Sequence, residues 1–99
     1  MSYVVRADDG SITVSAGALT RIVVQAAQSV EGARVRKPRR RLGLEIEDGR
    51  AHVELELAVA YGKVLPDVAR DVQERVASAL AGMCGLEVTA VDVAVEELV

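Results

Sequence analysis

Leu-Gly-Leu-Glu-Ile-Glu-Asp-Gly-Arg-Ala-His-Val-Glu-Leu-Glu-Leu-Ala-Val, residues 42–59, is the stretch on which the fold turns. Leu42, Leu44 and Ile46 alternate with Gly43, Glu45 and Glu47. After Asp48-Gly49, Val53, Leu55, Leu57 and Val59 alternate with His52, Glu54, Glu56 and Ala58. A period of two sends one set to a core face and the other to water. Asp-Gly between two such runs marks a two-residue hairpin, because both turn positions tolerate positive φ. With Asp48 and Gly49 as the loop, Ile46 faces Ala51, Leu44 faces Val53 and Leu42 faces Leu55. On the other face Glu47 meets Arg50 and Arg41 meets Glu56, opposite-charge pairs contributing roughly a few tenths of a kcal/mol each. A one-residue slip would bury glutamates, so the register is firm.

Working outward, Ile12 and Val14 alternate with Ser11 and Thr13 as a short strand, and Ser15 is an N-cap for the helix that follows. Leu19, Ile22, Val23, Ala26 and Val30 form that helix's apolar stripe, with Gly32 placed to end it. Beyond the hairpin, Pro66 suits the first turn of a second helix, with Asp67 and Asp71 near its positive end. Its stripe is Val68, Val72, Val76, Leu80 and Met83, and Gly85 stops it. Val91, Val93 and Val95 then alternate with Asp92, Ala94 and Glu96 as a last strand. Leu86 and Val88 are out of phase with that set, which predicts a bulge or bend near Ala90. The order β-α-β-β-α-β predicts an α+β fold: a two-layer sandwich with a four-stranded sheet and both helices on one face. Residues 1–9 show no period and read as a mobile leader; residues 10–99 read as one domain.

The chain has 99 residues, no Phe or Trp, and two tyrosines, so its core is built from Val, Leu, Ile and Ala. Cys84 is the single cysteine, which rules out an internal disulfide and suits a reducing compartment. No run approaches the roughly 20 apolar residues of a membrane-spanning helix, and no secretory leader is visible, so a cytoplasmic protein is expected. The net charge of −3 conceals a polarity: residues 1–41 carry a balance of +5 and residues 42–99 one of −8.

Catalysis has no candidate set. The carboxylates Glu45, Glu47, Glu54, Glu56, Asp92 and Glu96 all fall on the predicted solvent face, whereas acid–base pairs need two contrasting environments. Cys84 sits at a helix end rather than a helix start and reads as a packed thiol. His52, Glu54 and Glu56 lie two apart on one strand, about 7 Å between neighbours, which is wide for one ion; they read as a solvated face, with no metal or cofactor expected.

Arg34, Arg36, Lys37, Arg39, Arg40 and Arg41 surround Pro38 in a basic loop. Such a loop either neutralises phosphates or an anionic membrane surface, or is a solvated segment balancing the acidic face. Base recognition on stacking platforms is disfavoured by the shortage of aromatics.

Several strings are similar in order and spacing to the alkaline shock protein family, the Gls-type general stress proteins. They are Gly10-Ser11-Ile12-Thr13-Val14-Ser15, Ile22 to Ala26, Val30-Glu31-Gly32, Val53 to Tyr61-Gly62 and Leu65-Pro66-Asp67-Val68-Ala69. Gln73 to Val76, Met83-Cys84-Gly85-Leu86-Glu87-Val88 and Val91 to Val95 complete the resemblance, which spans roughly residues 10–97. It implies a bacterial cytoplasmic protein at the inner side of the cell envelope, self-associating, held by a membrane-anchored partner protein, and without enzymatic activity. A scaffold or adaptor is therefore the expected function. The alternative is a nucleic-acid-associated domain using the arginine loop, which departs from the glycine-rich or variable stretch of many relatives. A small ligand-sensing module rests on fold analogy alone.

Overall fold

The computed structural model describes residues 2–36 and 42–99. The elements run β1 (Ser2–Ala7), β2 (Gly10–Ser15), α1 (Ala16–Gln28), β3 (Ala33–Val35), β4 (Gly43–Glu47), β5 (Arg50–Val59), α2 (Leu65–Cys84) and β6 (Glu87–Leu98). The fold is α+β, with two helices covering one face of a four-stranded sheet.

Strand β5 is the centre of that sheet. Its first half pairs antiparallel with β4 and its last residues pair antiparallel with β3, both on one side. On its other side β6 runs parallel over its whole length, making the sheet mixed. The hairpin register is the expected one: Ile46 opposes Ala51, Leu44 opposes Val53 and Glu47 opposes Arg50. The ladder stops at Gly43 opposite Glu54, before Leu42, and Arg41 lies outside the described residues.

The sheet's membership differs from expectation at the N-terminal side. Residues 11–14 do form a strand, but it pairs with β1, built from the stretch read as a leader, in a separate two-stranded ribbon. The fourth place in the sheet goes to β3, whose three residues are too short to show a period. The ribbon and body together extend over 50 × 22 × 18 Å.

Each helix follows from local chemistry. Ser15 caps α1, its hydroxyl accepting from the Ala18 amide at 3.1 Å. Helix α1 ends at Gln28, capped by Ser29 in a right-handed conformation, so Gly32 is not its terminator; Gly32 takes its positive φ of 86° in the following turn. Helix α2 ends as expected on Gly85 in the left-handed region, at φ 67°. Its buried stripe is Val68, Val72, Val76, Leu80 and Cys84, a strict spacing of four. Met83, expected in that stripe, is 71% exposed. A step of three from Leu80 falls short of the ridge that the i±4 row makes, whereas Cys84 continues it.

These stripes meet the inner face of β5, where Ala51, Val53, Leu55, Leu57 and Val59 are buried against Leu19, Val23, Ala27 and the α2 row. Among the described residues no polar or charged residue is buried. A tie between the helices runs from the Arg75 guanidinium to Ser29 Oγ at 3.0 Å.

Leu57, fully buried, and exposed Met83 give contrasting expectations. Leu57→Ala lowers the unfolding free energy by about 2–5 kcal/mol, while Met83→Ala changes it by less than about 0.5 kcal/mol. Urea denaturation followed by circular dichroism measures both; comparable losses would contradict the stripe described here.

Candidate functional site

The outer face of the sheet carries the side chains that β5 does not bury: Arg50, His52, Glu54 and Glu56. Two register shifts in the β5–β6 pairing decide what stands beside them. Ala51 partners Val88 but His52 partners Ala90, leaving Thr89 bulged, as the phase change near Ala90 predicts. The Thr89 hydroxyl donates to the Ala51 carbonyl at 3.1 Å and holds the bulge to the strand. Beyond it, Asp92 stands opposite Glu54, on the outer face.

His52 Nε2 and Asp92 Oδ2 are 2.6 Å apart, and His52, Glu54 and Asp92 each offer a ligand atom within 4.8 Å of the others. Across β4, Glu45 is the register partner of His52. Gly43 is the partner of Glu54; a Cβ built there would lie 3.4 Å from a Glu54 carboxylate oxygen, so this space belongs to Glu54. The hydrogen bond to Asp92, with the charges of Asp92, Glu54 and Glu45, raises the His52 pKa above its ordinary value, against a smaller desolvation effect. The sequence places His52 and Glu54 correctly on one face, but Asp92 comes from a strand whose position the sequence leaves open. Alternation with Val91 and Val93 already puts Asp92 on the solvent face; its place beside Glu54 comes from the β5–β6 pairing.

The basic segment is gathered only in part. Arg34 is exposed on β3 in register with Ala58. The Arg36 amide donates to the Glu56 carbonyl at 2.9 Å, and its guanidinium pairs with Glu97 of β6. Lys37, Arg39, Arg40 and Arg41 lie outside the described residues. Cys84 is buried beneath the end of α2, and burial pushes its thiol pKa up, which suits a packed thiol. Among the described residues no helix is long and apolar enough to cross a membrane.

A two-layer α+β domain with an aliphatic core and an ionic outer sheet face is the class these features define. Residues 5–99 match the model of the alkaline shock protein 23 family, described as having a cell envelope-related function, and the chain belongs to that family. No curated protein matches the chain. Among solved structures it is similar to MamM CTD variants. The cadmium form of one has a TM-score of 0.56 and 22% identity, covering 82% of this chain and 94% of that one. A zinc form gives 0.57 and 21%, covering 82% and 84%; a manganese form gives 0.56 and 20%, covering 82% and 96%. At this identity the likeness is one of fold.

In metal-free buffer, the His52 imidazole is expected to titrate by NMR above its ordinary midpoint, and Asp92→Asn is expected to return it toward that value. The stabilisation from this contact is fully present below the unfolded imidazole's pKa and is lost as pH rises through the raised folded midpoint. A midpoint in Asp92→Asn equal to that of the native chain would remove Asp92 as the cause.

Proposed function

We propose that this protein is a non-catalytic scaffold or adaptor of the cell envelope, acting from the cytoplasmic side through self-association and a membrane-anchored partner protein. The observation that carries this reading is the outer edge of β6. Among the described residues β6 pairs with β5 alone, leaving one edge of a twelve-residue strand without a partner strand, while the Gln73 side-chain amide donates to the Val91 carbonyl at 2.9 Å. Unpaired amides and carbonyls along such an edge are a template for another strand. Family membership supplies the envelope connection. Backbone pairing needs no built pocket, and this suits a chain whose exposed chemistry is spread along a sheet rather than gathered in a cleft. Glu96 and Glu97 near the end of β6 are exposed and discourage indiscriminate pairing there.

Sedimentation velocity over a concentration series, together with fractionation of cells, tests the reading. The native chain is expected to associate reversibly and to appear with envelopes. Ala94→Lys, adding a charge at an exposed position of the edge strand, is expected to weaken association at least tenfold. A chain that stays monomeric at high concentration and never fractionates with envelopes would overturn it. Affinity capture from nuclease-treated, detergent-solubilised cells is expected to recover a membrane-anchored protein. Nucleoprotein recovered only when nuclease is omitted would instead assign the function to the arginine segment.

A further inference from the structure

We infer that His52, Glu54 and Asp92 form a binding site for a divalent transition-metal cation of the Zn²⁺ type on the outer face of the sheet. The three residues come from two strands that the parallel β5–β6 pairing locks side by side, and their ligand atoms lie within 4.8 Å of one another. A cation with ligands at about 2.0–2.2 Å needs its donors roughly 3–4.5 Å apart, a range reached here by small side-chain rotations.

The donor types select the metal. One imidazole nitrogen with two carboxylates suits Zn²⁺ and its first-row neighbours; an all-oxygen set would suit Ca²⁺ or Mg²⁺. Three protein ligands leave a position for water or for a donor from another molecule. What separates this group from other exposed carboxylates of the face is that Thr89 is bulged between Val88 and Ala90. Without that extra residue Val91, not Asp92, would partner Glu54, and Asp92 would face the core. At Gly43 a Cβ would meet the Glu54 Cβ at 3.3 Å and touch its carboxylate at 3.4 Å, so the glycine leaves the Glu54 side chain its room.

The experiment is isothermal titration of ZnCl₂ into the untagged full chain, repeated for His52→Ala, Asp92→Asn and Glu47→Gln. One zinc per chain is expected for the native protein. His52→Ala and Asp92→Asn are each expected to weaken binding at least tenfold, with Glu47→Gln unchanged. Circular dichroism of each variant checks that it is folded; all three positions lie on the outer face. Zinc-edge X-ray absorption is expected to show one imidazole in a shell otherwise of oxygen. Undetectable binding to the native chain would overturn the inference. So would binding that survives both His52→Ala and Asp92→Asn, or a shell containing sulfur, which would put the metal at Cys84.

Discussion

Parallel strands that share a ladder must agree about which face is the inner one, and in this protein that agreement depends on a single extra residue. Val53, Leu55 and Leu57 of β5 are buried, and their partners on β6 are Val91, Val93 and Val95. Counting without interruption from Ala51 opposite Val88 would set Val53 opposite Ala90 and turn all three β6 valines to solvent. The bulge at Thr89 restores the phase, and the same half-turn lifts Asp92 to the outer face beside Glu54. The core and the ionic cluster are thus two consequences of one register shift. A second shift, between Leu57 and Ala58, sets Glu97 opposite Ala58 and within reach of Arg36.

Burial outweighs charge in holding this arrangement. Removing a Val or Leu side chain from water contributes about 1.5–3 kcal/mol, and β5, α1 and α2 each contribute several such residues to one cluster. The ion pairs are exposed or half-exposed, such as Arg50 with Glu87 and Lys63 with Glu31, and pairs of that kind contribute about 0–1 kcal/mol. With no Phe or Trp in the chain, the core relies on aliphatic residues meeting in rows, of which the row along α2 is one. The charges instead fix identity: they keep β5 facing one way and mark its outer face.

How much of this was legible in the sequence depends on whether the signal was local. The Asp48-Gly49 hairpin was readable in its turn and register because alternation and turn chemistry lie within one short stretch, but the charge expected across it goes elsewhere: Arg50 pairs with Glu87 of β6 rather than with Glu47. The helices were readable as stripes, but Met83 was misplaced because apolarity does not distinguish a step of three from one of four. Strand β3 was not readable: three residues hold less than two periods, and only the edge of β5 gives them a partner. Residues 2–7 pair with β2 by backbone register, which composition does not encode. The candidate site was half visible. His52 and Glu54 are local neighbours; Asp92 is brought to them by a parallel pairing that spans a whole helix, and a spacing argument confined to β5 could not include it.

The division of labour between the two faces follows from the same geometry. Both helices seal the inner face, so what the sheet offers to other molecules comes from its outer face and its strand edges. Outer face and edge meet on β6, which carries Asp92 on its outer face and, among the described residues, an edge without a partner strand along its side. A strand added at that edge would stand about 4.8 Å from β6, a lateral step no larger than the spread of the three ligand atoms. A side chain it presented on the outer face in register with Asp92 would lie beside that carboxylate. Were the cluster to hold a cation and the edge to hold a strand, the two would share the space around Asp92, so each would alter the charge that the other meets.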